Sequence, residues 1–181
     1  MVKDTRKKEA ADDYFEAGTR SMVEGRYEEA VAYMEKAIAI APTLGHYYCR
    51  LSDIFIKTRE YNKALSLWDR VADIQLDHTD DNTSFINHWR EHVVSEQRRD
   101  EGIMAAAEIV IPFIAQHPGF IQKDICKVYS NIDRDYISTA LYYMSKGGLV
   151  LREKKGSSYT LKLNGTAEMV LSIWRGLNRP Y

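Results

Sequence analysis

Residues 111–163 read IPFIAQHPGFIQKDICKVYSNIDRDYISTALYYMSKGGLVLREKKGSSYTLKL. A first apolar helix ends just after His117, where a proline and a glycine follow and disfavour its continuation. Residues 122–129 are long enough for two further helical turns, with Ile125 and Val128 on one face. The stretch therefore begins with two helices separated by a tight turn.

A longer third helix is predicted over residues 134–146. Its apolar residues recur at the helical three-and-four spacing, and Asp133 is a good N-cap for it. Two glycines, Gly147 and Gly148, end this helix. The short apolar segments 149–151 and 159–161 then flank a polar turn, which indicates a β-hairpin.

This order of elements resembles a winged helix-turn-helix domain, and the motifs HPGFIQKDI and ISTALYYMSKGGLV carry the resemblance. In that family the third helix enters the major groove of DNA and the hairpin, called the wing, contacts the DNA backbone. Arginine can read guanine, serine and threonine can contact bases or phosphates, and lysines pair with phosphates. The resemblance implies DNA contacts from the third helix through Arg134, Tyr136, Ser138, Thr139 and Tyr142, and from the wing through Arg152, Lys154 and Lys155.

Two acidic residues disagree with this interpretation. Asp133 and Asp135 place negative charge at the end of the third helix that would approach DNA, and the N-cap role accounts only for Asp133. The tyrosines Tyr136, Tyr142 and Tyr143 add an aromatic surface. An alternative is therefore that the winged helix binds protein, as in large assemblies where helical repeats precede such a domain.

The first half of the chain contains a repeat. Residues 11–43 align with residues 45–77 at a shift of 34 residues, the period of the tetratricopeptide repeat. The alignment pairs Tyr14 with Tyr48, Gly18 with Ser52, Tyr27 with Tyr61, Ala30 with Ala64, Met34 with Trp68, and Ala37 with Val71. The first copy resembles that family through Gly18, Gly25, Tyr27, Ala30, Ala37 and Pro42. The second copy is degenerate, because Arg59 replaces the turn glycine and Leu76 replaces the proline.

The resemblance to tetratricopeptide repeats also implies a binding groove. In that family, positions 2, 5, 9 and 12 of each first helix line a concave surface. These positions are Asp12, Phe15, Thr19 and Met22 in the first copy, and His46, Cys49, Asp53 and Ile56 in the second. A mixed apolar groove of this kind can hold an amphipathic helix or an extended peptide. The alternative is that the chain's own termini or capping helix fill it.

A third structural unit must cover the second repeat, because each repeat buries its face only against a neighbour. Residues 85–97 are the candidate capping helix, with Thr83 or Ser84 as its N-cap. The charged segment that follows is predicted as a joint, which gives a repeat domain over residues 1–100 and a winged-helix domain over residues 101–181. Pro112 predicts a kink or a new helix start near Ile111.

The C-terminal residues 166–175 form a short amphipathic helix, with Met169, Val170, Ile173 and Trp174 on its apolar face. It packs on the winged domain or forms the seam of a dimer, and the first alternative is favoured. Helix-turn-helix proteins commonly match twofold operators with twofold symmetry, so the resemblance also raises a homodimer whose seam the sequence does not locate.

Composition excludes several classes of function. The two cysteines are far apart and indicate neither a disulfide framework nor a zinc site, and we expect a cytoplasmic protein with no membrane partner.

His88 and His92 share a helix face, but surface histidines at this spacing are seldom metal ligands, so we expect no metal. No phosphate loop, nucleophile elbow or catalytic carboxylate pair is visible. We therefore expect no cofactor and no enzymatic activity.

Charge is distributed unevenly along the chain. Residues 1–102 hold 15 basic and 20 acidic residues, whereas residues 103–181 hold 10 basic and 6 acidic residues. The basic excess therefore coincides with the segment that resembles a nucleic-acid-binding module.

The predicted architecture is mostly α-helical. It comprises a two-repeat array with a capping helix, a winged helix of three helices and a hairpin, and a short C-terminal helix. The favoured function is a DNA-binding, transcriptional regulator that contacts duplex DNA and binds a protein or peptide in the repeat groove. The alternative is an interaction adaptor in which both halves bind protein.

Overall fold

The computed structural model describes residues 2–77, 79 and 81–176, with side chains from Arg6 onward. Within these residues the chain forms eight helices and one three-stranded sheet, and no helix is long and apolar enough to cross a bilayer. The helices are α1 (Val2–Val23), α2 (Tyr27–Ile40), α3 (Gly45–Lys57), α4 (Tyr61–Val71), α5 (Asn82–Gln116), α6 (Gln122–Val128), α7 (Arg134–Lys146) and α8 (Ala167–Gly176). The chain divides into two compact units, residues 1–97 and 98–181.

The two turns inside the first unit have the same backbone geometry. Gly25 and Arg59, which are 34 residues apart, both have positive φ, +76° and +59°. Each follows the end of a helix. The next residue in each turn donates its N–H to the carbonyl five residues earlier, Arg26 to Ser21 at 2.9 Å and Glu60 to Phe55 at 2.8 Å. This is the Schellman arrangement, which favours glycine. The degenerate second copy therefore keeps the turn of the first, with an arginine in the left-handed conformation.

The helix pairs of the two repeats approach each other through different residues. In the first repeat, a Cβ added at Gly18 would lie 2.8 Å from Cε of Met34, so glycine allows α1 and α2 to pack closely. The equivalent positions in the second repeat hold Ser52 and Trp68, and the buried indole Nε1 donates to Ser52 Oγ at 3.0 Å. Both solutions fill the same space between antiparallel helices.

The ends of the two repeats are bonded to each other. Thr43 Oγ1 donates to Asp77 Oδ2 at 2.7 Å, and the Asp77 N–H donates to the Thr43 carbonyl at 2.7 Å. Leu76, in the position of the missing proline, is 2 % exposed and packs near Gly45. An apolar contact thus replaces the rigid proline.

The first part of α5 covers the second repeat, as predicted for the capping helix. Ile86 and Val93 are buried in the core of the first unit, and the Trp89 ring stacks on Trp68 with 5.7 Å between centroids. The predicted N-cap was wrong. The Ser84 N–H donates to Asp81 Oδ1 at 3.0 Å, so Asp81 caps the helix, which begins before Thr83 and Ser84.

α5 is one helix of 35 residues, although we predicted a joint after residue 97 and a break near Ile111. Pro112 lies inside the helix. Proline removes one backbone hydrogen bond there, whereas the flanking Ile111 and Ile114 are fully buried and favour helical continuation. The charged segment is helical too, because arginine and glutamate are good helix formers.

The second unit contains the rest of α5, α6, α7, α8 and the sheet. Its strands are β1 (Phe120–Ile121), β2 (Val150–Lys155) and β3 (Ser158–Leu163), arranged in the order β1-β3-β2 with antiparallel neighbours. The predicted bounds of α7 are confirmed, and Asp133 caps this helix by accepting the Asp135 N–H at 2.8 Å. The hairpin strands are longer than predicted, and β1 was not predicted.

The core of this unit contains apolar residues from every one of its helices and from β2 and β3. Ile125 of α6 belongs to it, whereas Val128, predicted on the same helix face, is 52 % exposed, so the core covers only part of that face. The predicted C-terminal helix is observed as α8. It packs on its own unit through Val170 and Trp174, and leaves Met169 and Ile173 partly exposed.

Candidate partner groove and nucleic-acid interface

The groove residues predicted on α1 occupy different environments. The Phe15 ring meets the His46 ring edge-on at 5.1 Å and lies 5.2 Å from the Tyr47 ring. Asp12 accepts a hydrogen bond from the buried Tyr47 hydroxyl at 2.6 Å, so its carboxylate is bound between the two repeats. Met22 belongs to the core rather than to an open surface.

Of the groove residues predicted on α3, His46 is exposed, whereas Cys49, Asp53 and Ile56 are half-buried. Burial raises the pKa of the Cys49 thiol to about 12, so this cysteine is protonated and unreactive at neutral pH. Burial also raises the pKa of Asp53, and the nearby Arg50 guanidinium, 3.5 Å away, opposes that shift. Ile56 packs on the core beside them. Asp53 is therefore a carboxylate whose ionised form the fold stabilises poorly.

Replacing Asp53 by asparagine should stabilise the first unit at neutral pH, by roughly 0.5 kcal/mol. Because the folded state raises the pKa of this carboxyl, stability falls as pH rises through the unfolded pKa towards the folded one. The advantage of Asp53→Asn should thus be present at pH 7 and vanish near pH 3. Urea unfolding at both pH values measures this, with the exposed Asp13→Asn as control. A variant less stable than wild type at pH 7 would contradict it.

One shallow apolar hollow lies on α1 beside the predicted groove. It has a volume of about 340 Å³ and is lined by Phe15, Glu16, Thr19, Arg20 and Val23. The Thr19 Oγ1 atom is buried there and has no hydrogen-bond partner among the described residues, and Val23 is 79 % exposed. The repeat register identified Phe15 and Thr19 but not the other three residues. A valine one turn beyond Thr19 on the same helix was the signal available in the sequence.

A second hollow, of about 390 Å³, lies among α2, α3 and α4 and was not predicted. Phe55 contributes its apolar floor, and Glu35, Lys63 and Arg70 contribute charge to the lining. It uses none of the residues at the groove positions.

The residues predicted to contact DNA from α7 are only partly on one accessible face. Arg134 is exposed, Tyr142 is 53 % exposed, and Ser138 and Thr139 are half-buried. The Tyr136 ring lies beside Gly102 of α5. The approach is close, since a Cβ atom added at Gly102 would be 2.6 Å from Cδ2 of the ring. The Tyr136 ring therefore packs against α5, and we remove it from the candidate interface.

The two lysines of the hairpin are exposed beside the turn at Gly156. Arg152 is held in place by its neighbours. Its Cζ lies 4.3 Å from the centroid of the Tyr159 ring, and its Nη2 donates to Gln122 Oε1 at 2.8 Å. Sequence reasoning identified Arg152 but missed Gln122 and Tyr159, because their role depends on contacts between separate segments.

Both acidic residues at the start of α7 have local roles. Asp133 is the N-cap, and Asp135 lies in the first turn, where negative charge interacts favourably with the helix dipole. The position of Asp135 thus has a structural reason that does not require a protein ligand.

Residues 24–44 match the family described as tetratricopeptide repeat. The match covers α2 with its flanking turns and confirms the repeat prediction for that part of the first copy. A match to this family supports a role in protein–protein interaction. Neither a curated protein nor a solved structure matches the chain significantly.

Proposed function

We propose that this chain is a DNA-binding regulator. Its second unit is a winged helix-turn-helix domain that contacts duplex DNA, and its first unit binds a protein or peptide partner. The proposal assigns no catalytic reaction and no cofactor. The observation that carries it is that one small unit contains both α7 and the hairpin that bears the two lysines.

The topology of the second unit supports the winged-helix assignment. α6 and α7 are joined by a short turn, and α7 leads through two glycines directly into the β2–β3 hairpin. The short β1 precedes α6 and pairs with β3, so the sheet contains one strand from before the helix pair and two from after it. This order of elements supports the proposed winged-helix assignment.

The charges on this unit support an anionic ligand. Arg134, Lys154 and Lys155 are exposed, and none of them forms an ion pair in the described part of the chain. Unpaired surface cations contribute to DNA affinity by releasing condensed counterions from the phosphates. The acidic residues Asp133 and Asp135 are accounted for by the start of α7 and do not exclude DNA.

The first unit supports a partner site on the face of α1 that bears Phe15 and Thr19. The hollow beside Thr19 is apolar apart from its charged rim, which suits an apolar side chain of a bound peptide. This part of the proposal rests on the repeat match and on that hollow.

An adaptor is the second candidate, and one observation favours it. Tyr142 and Leu151 are large and exposed, and the Tyr142 ring contacts the Tyr143 ring edge-on at 5.4 Å. Exposed aromatic and aliphatic side chains are typical of the centres of protein interfaces. In this candidate both units bind protein.

Fluorescence anisotropy with labelled mixed-sequence duplex DNA distinguishes the DNA-binding regulator from the adaptor. If the second unit makes ~3–5 phosphate contacts, the logarithm of affinity should fall with the logarithm of salt concentration at a slope of roughly −3 to −4.5. The double variant Lys154→Glu with Lys155→Glu should bind more weakly, and its slope should be shallower by about 1.8.

The matched control is Lys7→Glu with Lys8→Glu, which makes the same change of charge on exposed residues of α1 and should leave the slope unchanged. Absence of binding by the wild-type chain at low salt would overturn the DNA proposal and favour the adaptor. The homodimer stays a prediction. Sedimentation at micromolar concentration measures the oligomeric state and tests it.

A further inference from the structure

We infer that Gln122 and Tyr159 are positioning residues that hold Arg152 ready for a backbone phosphate of DNA. This inference rests on the proposed function and assigns different binding roles to the basic residues of the hairpin. Arg152 would bind as a fixed group, and the exposed lysines beside the turn would bind as flexible ones.

The geometry fixes the guanidinium on two sides. The Tyr159 ring lies against it at 4.3 Å, a cation–π contact, and the Gln122 side-chain oxygen Oε1 accepts from Nη2 at 2.8 Å. The Arg152 Nε atom is buried and has no hydrogen-bond partner in the part of the chain that the structure describes. A guanidinium held in this way has lost its rotational freedom before any ligand arrives.

The surroundings of Arg152 select an anion. Strand side chains alternate between faces, so Arg152 and Lys154 share a face of the hairpin, and Lys154 pairs across it with Tyr159. Glu153 points to the opposite face. Lys123, next to Gln122 at the start of α6, is exposed and forms no ion pair among the described side chains. Two cations, Arg152 and Lys154, thus share a strand face that bears no carboxylate in β2 or β3, and this arrangement matches a phosphate, which guanidinium binds through two hydrogen bonds.

A structural role alone would not require the arginine charge. Lysine at position 152 could pack its stem against Tyr159, but an ammonium lacks the planar fork that bonds Gln122 and a phosphate simultaneously. Ordering one long side chain on binding weakens association by roughly three- to tenfold. That factor is the expected benefit of pre-positioning Arg152.

The test uses the full chain, labelled duplex DNA and a salt titration on each variant. Arg152→Ala should make the slope shallower by about 0.9, because one phosphate contact is lost. Arg152→Lys, Gln122→Ala and Tyr159→Leu should keep the wild-type slope and bind roughly three- to tenfold more weakly. Tyr159→Phe keeps the ring and should bind like wild type.

Thermal unfolding of each variant identifies the competing structural role. If Gln122→Ala and Tyr159→Leu lower the melting temperature but leave DNA affinity unchanged, the inference is overturned. An unchanged slope in Arg152→Ala overturns it too, while binding by the wild-type chain leaves the proposed function intact. Failure of the wild-type chain to bind DNA would instead overturn the proposed function itself.

Discussion

Trp68→Ala should destabilise the first unit by about 3–5 kcal/mol, the cost of truncating a large, fully buried aromatic side chain. A unit of this size is stable by only about 5–15 kcal/mol, so the change removes a large part of its stability. For a small domain each kcal/mol lowers the melting temperature by roughly 4–8 °C. The first unit should therefore unfold at a clearly lower temperature in this variant than in the wild-type chain.

Three contacts concentrate this cost on one residue. The Trp68 indole donates to Ser52, and its ring contacts the Trp89 ring at 5.7 Å and the Phe85 ring at 6.0 Å. Trp89 and Phe85 belong to the part of α5 that covers the second repeat. Truncating Trp68 therefore opens the helix pair of the repeat and its attachment to the capping segment together.

Circular dichroism during urea and thermal unfolding provides the measurement, since the helices dominate the signal. Trp68→Met is the matched variant, because methionine occupies the equivalent position 34 in the first repeat, and it should cost less than alanine. Ser52→Ala should cost about 1–2 kcal/mol in the wild-type chain, by leaving the indole N–H unpaired, and nearly nothing in the Trp68→Met background. A Trp68→Ala chain that melts at the wild-type temperature would show that this core does not hold the repeats together.

Local sequence signals predicted those elements whose ends and faces are set by neighbouring residues. α7 begins after Asp133 and ends before two glycines, and its apolar residues lie on one face, so its bounds could be predicted correctly. The repeat could be predicted for a similar reason. A shift of 34 residues aligns Gly25 with Arg59, and both adopt the same turn.

Other elements depend on contacts that no local pattern contains. β1 has two residues and exists because Phe120 and Ile121 pair with β3, about forty residues later in the sequence. α5 is continuous because buried isoleucines on both sides of Pro112 outweigh the missing backbone hydrogen bond. Proline and a charged segment predicted breaks there, since propensity describes only the isolated chain.

The candidate sites show the same limit. The register of the repeat placed Met22 in an open groove, but the neighbouring helices bury it in the core. The resemblance to the winged-helix family likewise predicted that Tyr136 faces DNA, whereas its ring lies beside Gly102 of α5. Sequence assigned residue types to faces. Packing between distant segments determined which of those faces stay accessible.

Gly102→Ala should destabilise the second unit by roughly 1–3 kcal/mol, even though alanine is the better helix former. The cause is the approach of Tyr136, because the new methyl group would lie 2.6 Å from Cδ2 and 2.8 Å from Cζ of its ring. Helix propensity alone favours alanine by about 1 kcal/mol. Displacing a packed aromatic ring, which holds α7 against α5, costs more than that gain.

A double-mutant cycle with Tyr136→Ala tests this cause directly, using urea unfolding. Without the ring, Gly102→Ala has nothing to displace and should become stabilising by up to about 1 kcal/mol, so the sign of the effect reverses. Ala105→Gly, at an exposed position one turn further along α5, measures the propensity term alone and should cost about 1 kcal/mol. If Gly102→Ala stabilises the wild-type chain as well, the close approach of Tyr136 does not exist in solution. In that event the ring would be free to turn towards the surface, and Tyr136 would return to the set of α7 residues proposed to contact DNA.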